Sequence, residues 1–335
     1  MLGIDESFAP NSSLGYTKVM LIDIISPAGA HTDLARFDKA CDRLRALGYD
    51  LNVLAPREGW QRFGGNDEAR LNMIHAAARS PAQAVMLTRG GYGLSRLLDR
   101  IDWALIEAST ARGKKWVGFS DFTIFQAALF ATTGARTFAG PTVAEDFGGE
   151  SLEELMLVSF QALLRGVTPV VQWDAPSRLS ESAYLLRDQA RLQRQALTGA
   201  LWGGNLAMIG NLIGTPYLPM QPELKLLWLE DIAEHPYRVE RLLHQLFFAG
   251  VLQRQKAIIF GSFNHWKPAP HDLGYGWSAM LEYFQDRLRK AYGEEAPVLV
   301  EGLPFGHQAL KTILEFGRPY RLSCDAASVF SLEPL

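Results

Sequence analysis

Three residues of the types that hydrolases use for acyl transfer each follow an apolar run that is typical of a strand. The run at residues 116–119 stops at Ser120, and a helical pattern begins almost at once with Ile124. Apolar residues also lead into Glu230 and, through a short loop, into His307. A serine, an acid and a histidine in this chain order can form a hydrolytic triad, in which the histidine takes the serine proton and the acid orients the histidine. Because a triad is defined by its geometry, the spacing predicts one without proving it.

Each of these residues also has a more ordinary interpretation. A serine at the start of a helix most often caps it by accepting a backbone N–H bond. Acids at strand ends are mostly solvated, and His307 alone is typical of any loop histidine. The G-x-S-x-G spacing of the common nucleophile elbow is only half present, since Phe122 stands at the position of its second glycine. The abrupt strand before Ser120 narrows the preference for a cap, because a cap does not need this sharp corner whereas an attacking oxygen must be exposed beside its base.

A glycine loop with the sequence RGGYG occupies residues 89–93, directly after a predicted buried strand. Its glycines can serve a plain turn, because glycine adopts positive φ at little steric cost. The loop can equally expose backbone N–H groups as an oxyanion hole. It lacks the Lys-Ser/Thr of a P-loop and the full spacing of a dinucleotide fingerprint, so a phosphate site has less support.

The composition of the 335-residue chain argues against several classes of protein. It has 33 basic and 36 acidic residues and no basic block, so we expect no nucleic-acid partner. Its two cysteines, Cys41 and Cys324, are too few for a disulfide framework, and its seven histidines lack metal-ligand spacing, so we expect neither a metal nor a cofactor. Residues 19–30 mimic the apolar part of a signal peptide, but Asp23 interrupts them and favours a buried first strand. No apolar run reaches the roughly 20 residues that cross a bilayer, so we expect a cytoplasmic protein with no membrane partner.

The order of predicted elements divides the chain into four parts. Residues 1–17 form a polar arm, and residues 18–166 alternate strand and helix. One of the predicted helices covers residues 95–108. Residues 167–190, with two prolines and mixed polar residues, are predicted to be a linker, and residues 191–335 form a second unit whose tail alternates like antiparallel strands. Alternating strands and helices predict an α/β fold with a parallel sheet in the first unit, and ligands of such sheets bind at the carboxyl ends of the strands.

As a set, several stretches resemble the LD-carboxypeptidase family, also called muramoyltetrapeptide carboxypeptidases. They occur in family order and cover most of the chain from Ile24 to Gly317. The matching stretches are RGGYG (89–93), GFSDFT (118–123), GGNL (203–206), GTPY (214–217), LEDIAEHPYRVERLL (229–243) and PFGH (304–307). The resemblance implies a flavodoxin-like N-terminal domain, a smaller β-rich α+β C-terminal domain and, commonly, a homodimer.

The same resemblance assigns roles to particular residues. Ser120 would be the nucleophile, His307 the general base and then acid, and Glu230 the residue that orients His307. It also implies an oxyanion hole of backbone N–H groups, which we place at Gly91 and Asp121. The free carboxylate of a peptide substrate needs a cation, because burying an unpaired charge is costly. Arg89 and Arg241 are the candidates for it, each with a structural ion pair as its alternative role.

The implied reaction removes the terminal D-alanine from a murein tetrapeptide in the cytoplasm, during cell-wall recycling. One alternative is a microcin C self-immunity peptidase, which shares the fold and triad but cleaves a peptidyl- or aminoacyl-nucleotide. That alternative needs an aromatic side chain to stack on the base, and Trp173 is the candidate. Another alternative, from a different class, is a catalytically silent module that binds murein peptides.

Overall fold

Two β-sheets, each packed against helices, organise the chain. The computed structural model describes residues 19–176 and 182–335. The predicted N-terminal arm, residues 1–17, lies outside the described residues. In the described part of the chain, the helices are α1 (Leu34–Ala46), α2 (Asp67–Arg79), α3 (Trp103–Ala111), α4 (Phe122–Thr133), α5 (Glu154–Leu164), α6 (Ala183–Arg194), α7 (Leu206–Asn211), α8 (Pro236–Phe248) and α9 (Trp277–Tyr292), with short 3-10 helices at Leu94–Arg96, Leu252–Arg254 and Gly293–Glu295 and a π-helical turn at Val143–Phe147.

The first sheet is parallel apart from one edge strand. Its strands are β1 (Leu21–Ile25), β2 (Asp50–Val53), β3 (Ala84–Leu87), β4 (Lys115–Gly118), β5 (Thr137–Ala139) and β11 (Leu314–Phe316). Their order is β11-β5-β4-β3-β1-β2, and β11 alone runs antiparallel, beside β5. Side chains of a strand point alternately to the two faces of the sheet. Ala84 and Met86 of β3 pack in one hydrophobic cluster and Val85 and Leu87 in another, so both faces of this sheet are buried.

The second sheet joins four parallel strands to three antiparallel ones. Its strands are β6 (Val171–Asp174), β7 (Leu197–Asn205), β8 (Leu224–Ile232), β9 (Ala257–Asn264), β10 (Val298–Glu301), β12 (Pro319–Cys324) and β13 (Val329–Pro334). Their order is β10-β9-β8-β7-β12-β13-β6, with β7 to β10 parallel. The predicted fold class, a parallel α/β unit followed by a β-rich α+β unit, is confirmed. The second sheet has seven strands against six in the first.

Two segments differ from the elements that the sequence patterns suggest. The helix expected over 95–108 starts later, as α3, because the Asp102 side chain accepts a hydrogen bond from Leu105 N at 3.0 Å and caps it there. Within the predicted linker 167–190, β6 is the edge strand of the second sheet and pairs with β13, while α6 begins at Ala183. Residues 177–181 lie outside the described residues, and the domain boundaries remain predictions.

Helix α4 connects the two sheets. Its residues Ile124 and Ala128 belong to the same hydrophobic cluster as Leu206 and Ile209 of α7. Beyond this apolar contact, Thr123 Oγ1 accepts a hydrogen bond from the backbone N–H at the end of β7, at 3.0 Å. Because α4 starts just after β4, this packing sets the carboxyl end of β4 against the carboxyl ends of the second sheet's parallel strands.

Candidate active site

Ser120 stands on a strained corner between β4 and α4. Its φ is +64°, a region that residues with a side chain rarely adopt. The N-cap residue of α4 is Asp121, and the cap makes no side-chain hydrogen bond, so Ser120 is not held there as a capping residue. The corner is tight, since a Cβ added to Gly90 would lie 2.6 Å from Ser120 Cβ. Only glycine at position 90 therefore lets the 89–93 loop pass this close to the hydroxyl.

The structure brings Ser120, His307 and Glu230 into one hydrogen-bonded series. His307 Nε2 lies 3.2 Å from Ser120 Oγ, and His307 Nδ1 lies 2.7 Å from Glu230 Oε2. A carboxylate only accepts hydrogen bonds, so the proton of neutral His307 belongs on Nδ1, and Nε2 is left to accept the hydroxyl proton of Ser120. The Glu230 side chain is fully buried and that of His307 is 13% exposed, so the pair interacts largely away from solvent.

The charge of Glu230 controls the protonation of His307. Burial lowers the pKa of His307, but the hydrogen bond and the negative charge of Glu230 raise it, with a further contribution from Glu145. The net result is a pKa above the ordinary value of 6.5. The protonated ring is thus stabilised, as required of a base that must hold a proton during a reaction and then return it.

Three polar residues that the sequence reasoning missed hold the histidine and its acid in place. Asn205 Nδ2 donates to Glu230 Oε1 at 3.3 Å and to Asp231 Oδ1 at 2.9 Å. Asp231 Oδ2 accepts from the backbone N–H of Ala207 at 3.0 Å, and burial, followed by the charge of Glu230, raises the pKa of Asp231 to about 6. Asn264 Nδ2 donates to the backbone carbonyl of His307 at 2.6 Å. Asn205 and Asp231 lie in the GGNL and LEDIAEHPYRVERLL stretches that resemble the family, whereas Asn264 lies in no matching stretch.

The approach of His307 to Glu230 also depends on Gly306. This residue has φ +123°, and a Cβ added to it would lie 3.0 Å from Glu230 Oε2. A side chain at position 306 would therefore strain the backbone and press on the carboxylate that accepts the His307 proton.

The two predicted oxyanion donors belong to the segments next to Ser120: Gly91 follows Gly90, which passes the hydroxyl, and Asp121 follows Ser120 itself. Gly91 has φ +104° in the loop that passes Ser120, and the loop is tied down by a 3.1 Å hydrogen bond from Gly29 N to Gly90 O. Asp121 begins the first turn of α4, where backbone N–H groups favour negative charge. Its buried carboxylate accepts a 2.9 Å bond from Leu94 N, and burial raises the pKa of Asp121 to about 6. The Asp121 side chain thus fastens the glycine loop to the start of α4.

The two candidate arginines lie in different surroundings. Arg89 donates to Glu145 Oε1 at 3.2 Å, and Glu145 borders a cleft of about 340 Å³ beside His307. Arg241 is exposed on α8, on the side away from the helix face that Val239 and Leu243 bury. The structure therefore places Arg89 next to the site and Arg241 on an outer surface.

Charged side chains of both signs line that cleft. Lys311 and Asp146 form an ion pair at 2.5 Å, and both side chains are almost fully buried. Lys311 Nζ lies 4.0 Å from the centre of the Phe119 ring, and the Phe119 ring centre lies 5.0 Å from that of His307. The cleft thus offers an apolar contact at His307 and charges further out.

Other candidate features of the sequence have structural roles. Trp173 is 7% exposed, packs against Phe330 and donates to the backbone carbonyl of Glu301 at 2.9 Å, so its ring is not available to a nucleotide base. Cys41 and Cys324 are buried free thiols. Among the described residues, no group of three or more His, Cys, Asp or Glu side chains is placed to hold a metal ion. Within the same residues, no helix has the length and apolar character needed to cross a membrane.

Two family models match the chain. The model of the LD-carboxypeptidase N-terminal domain matches residues 22–140, and that of the LD-carboxypeptidase C-terminal domain matches residues 198–322. The murein tetrapeptide carboxypeptidase of Pseudomonas aeruginosa is 30% identical over 314 residues, which are 89% of this chain and 91% of that protein.

Solved structures show the same likeness. The crystal structure of the muramoyltetrapeptide carboxypeptidase from Oxalobacter formigenes is 34% identical, with a TM-score of 0.81 over 94% of this chain and 98% of that one. The microcin C7 self immunity protein MccF is 20% identical, with a TM-score of 0.75 over 95% of this chain and 97% of that one, and at this identity it shares the fold alone. The two family models and these relatives show that the chain belongs to the LD-carboxypeptidase family and is a peptidase.

Proposed function

We propose that the protein is a serine LD-carboxypeptidase that removes the terminal D-alanine from murein tetrapeptides. The observation that carries the proposal is the hydrogen-bonded series from Ser120 through His307 to Glu230. The names of the relatives from Pseudomonas aeruginosa and Oxalobacter formigenes support the substrate class, since both refer to the tetrapeptide of murein. We further propose that the enzyme acts in the cytoplasm in cell-wall recycling, as a homodimer and without a cofactor.

The mechanism follows from the roles of the three side chains. His307 Nε2 takes the proton of Ser120 as Oγ attacks the carbonyl carbon of the bond to D-alanine. His307 then gives that proton to the nitrogen of the departing D-alanine, and the acyl group remains on Ser120. Water, activated by the same nitrogen, hydrolyses this ester and restores the serine. Glu230 keeps its charge throughout and stabilises the imidazolium that forms in each half of the reaction.

The negative oxygen of each tetrahedral intermediate requires donors that are already in position. We assign this role to the backbone N–H groups of Gly91 and Asp121. Such donors act without reorganisation at the moment of reaction, and losing one typically costs about 10²–10³ in turnover. The close passage of Gly90 beside Ser120 supports the assignment, because it brings the glycine loop to the reacting hydroxyl.

Arg89 is the preferred partner for the free carboxylate of the D-alanine. The proton donor to the leaving amine is His307, so the D-alanine belongs on the His307 side of Ser120. Glu145, the ion-pair partner of Arg89, borders the cleft on that side. A carboxylate entering the cleft could take over part of the Arg89 charge, whereas Arg241 lies on an outer face of α8.

Release of D-alanine from purified murein tetrapeptide tests the proposal directly. Wild type, Ser120→Ala and a matched control, Ser323→Ala on the remote strand β12, are compared. Release by wild type and by the control, but not by Ser120→Ala, is the expected result. Release by Ser120→Ala at the wild-type rate would remove Ser120 as nucleophile. No release by folded wild type would overturn the tetrapeptide as substrate, and an aminoacyl-nucleotide would be tested next, although the burial of Trp173 removes its candidate stacking residue.

A further inference from the structure

An aromatic surface that the mechanism does not use borders the loop that carries Gly91. It consists of Trp60, Phe63 and Tyr92, which we call the aromatic platform. The ring centres of Trp60 and Phe63 are 6.3 Å apart, and those of Phe63 and Tyr92 are 6.1 Å apart. Phe63 is buried, whereas Trp60 is 42% and Tyr92 41% exposed. Two large aromatic side chains thus face solvent on either side of a buried third one.

The central ring of the platform is held rigidly. The guanidinium carbons of Arg70 and Arg96 lie 4.7 Å and 4.9 Å from the centre of the Phe63 ring. Both arginines form ion pairs with Asp67, and Arg70 is fully buried. Cations over an aromatic face are attracted to it, the more so when desolvated. The platform is therefore formed before any ligand arrives, which lowers the entropic cost of binding.

Trp60 lies in a tight turn that holds its side chain at the surface. Trp60 and Phe63 exchange two backbone hydrogen bonds of 2.9 Å across a tight turn, in which Gln61 has φ +54°. Arg62 O accepts from Ala30 N at 2.9 Å, so the turn is anchored next to the Gly29 segment. The indole of Trp60 thus keeps a solvent-exposed surface beside the buried Phe63 ring. A strained turn that holds a large apolar side chain in solvent is typical of a binding surface.

The platform is joined to the reaction centre through the glycine loop. Tyr92 follows Gly91 directly, and Gly90 touches Ser120. Gly93 has φ +148°, and a Cβ added to it would lie 2.9 Å from a Phe63 ring carbon, so the loop packs against the platform itself. The aromatic rings therefore begin next to the oxyanion donor and extend away from it.

The chemistry at Ser120 decides which part of the substrate meets these rings. The leaving D-alanine must lie toward His307, because His307 protonates it. The acyl part extends away from the leaving group, and the glycine loop, which passes Ser120 at Gly90, continues through Tyr92 to the platform. An extended peptide covers about 3.5 Å per residue, so a group attached three residues before the scissile bond lies about 10 Å or more from Ser120. The ring centres of Tyr92, Phe63 and Trp60 follow one another at about 6 Å, so the platform extends over a comparable length.

We propose that the aromatic platform binds the pyranose ring of a muramoyl-linked tetrapeptide, an inference that rests on the proposed function. A muramoyl group is a sugar joined to the amino end of the peptide, and it is part of the substrate named for the Oxalobacter formigenes relative. One face of a pyranose is made of C–H bonds, which pack on the negative face of an aromatic ring. In the series of ring contacts from Tyr92 through Phe63, Trp60 is the last ring, and we assign it the main contact with the sugar. The enzyme thereby prefers sugar-bearing tetrapeptides to the free peptide.

Comparison of two substrates tests this inference. The rate of D-alanine release is measured with muramoyl tetrapeptide and with the free tetrapeptide, for wild type, Trp60→Ala and Trp60→Phe. We expect Trp60→Ala to lower kcat/KM for the muramoyl substrate about tenfold through KM, the scale of one lost aromatic contact, and to leave the free tetrapeptide within about twofold. Trp60→Phe keeps a ring and should restore most of the loss. Phe248→Ala, which removes a 73% exposed ring on α8, is the matched control and should change neither substrate.

Each outcome bears on the inference separately from the proposed function. A tenfold loss confined to the muramoyl substrate, with recovery in Trp60→Phe, supports the sugar site. An equal loss on both substrates would overturn it and assign Trp60 to the peptide or to the fold, and unchanged kinetics on both would overturn it as well. If wild type releases D-alanine from neither substrate, the proposed function itself fails. The activity of Trp60→Ala on the free tetrapeptide reports that this variant is folded.

Discussion

Replacing Glu230 with glutamine tests the proposed triad with almost no change in shape. The Glu230 carboxylate is fully buried and accepts a 2.7 Å hydrogen bond from His307 Nδ1. Glutamine keeps the volume, removes the negative charge and can present its NH₂ group to Nδ1. An NH₂ donor at Nδ1 stabilises the tautomer that carries the proton on Nε2, and this tautomer cannot accept the proton of Ser120.

The expected effect is large on turnover and small on stability. Replacing the orienting acid of a triad by its amide lowers kcat about 10⁴-fold, so we expect a loss of about 10³–10⁴, or about 4–5.5 kcal/mol of transition-state stabilisation. Glu230 lies beside Asp231, and its charge contributes to the raised pKa of that second buried acid. Removing one of two adjacent buried charges relieves their repulsion, so we expect the melting temperature to stay close to that of wild type.

The assay is D-alanine release under single-turnover and steady-state conditions, together with thermal unfolding. The matched control is Glu223→Gln, which changes an exposed acid just before β8, at the opposite end of the strand from Glu230. A Glu230→Gln enzyme that keeps kcat within tenfold of wild type, while Ser120→Ala is inactive, would refute the orienting role. A Glu230→Gln protein that no longer folds would refute the argument that relief of repulsion preserves stability.

Three other perturbations probe the surroundings of the triad. The kcat/KM of wild type should rise with pH through a midpoint above 6.5, because His307 acts as a base only when neutral and its pKa is raised. The residual activity of Glu230→Gln should have a lower midpoint. Equal midpoints would contradict the conclusion that Glu230 raises the pKa of His307. Gly90→Ala should lower kcat about 10²-fold or more, since the new Cβ would lie 2.7 Å from Ser120 Oγ. A serine-reactive probe should also label Ser120 more slowly in this variant. Labelling at the wild-type rate would show that the loop can move aside. Asn205→Ala should lower the free energy of unfolding by about 2–4 kcal/mol, because it removes both the donor to Glu230 and the cap of α7. Denaturant unfolding measures this loss. An unchanged free energy of unfolding would mean that water replaces the Asn205 amide.

The sequence identified the residues of the candidate triad because each lies at or near the end of a predicted strand and the matching stretches occur in family order. It did not show that the three meet, since Ser120 follows a strand of the first sheet whereas Glu230 and His307 belong to the second, and the packing of α4 joins the two sheets. The same logic identified the 89–93 loop. It could not separate Arg89 from Arg241, because an arginine side chain reaches far and only packing decides where its helix or loop faces.

The supporting residues depend on strand register, which the sequence does not specify. Asn205 reaches Glu230 because the two are register partners in the parallel pair of β7 and β8. A shift of one residue would turn Asn205 to the other face of the sheet. The sequence also does not specify that β11 joins the first sheet, because Leu314–Phe316 pairs with a strand about 175 residues earlier in the chain. The aromatic platform likewise forms only when the turn at 60–63 packs on the glycine loop.

Because the proposed triad is divided between two sheets, the contact between the sheets is part of the proposed catalytic geometry. Ser120 moves with β4 and α4, whereas Glu230 and His307 move with the second sheet. The close contact at Thr123 fixes one part relative to the other: a Cβ added to Gly204 would lie 2.4 Å from Thr123 Oγ1, so only glycine allows the approach. Since the 3.2 Å distance from Ser120 Oγ to His307 Nε2 spans the two sheets, a small sliding of one against the other would break the proposed proton path. The stability of the fold depends on the same contact, because Ile124 and Ala128 of α4 share one hydrophobic cluster with Leu206 of α7.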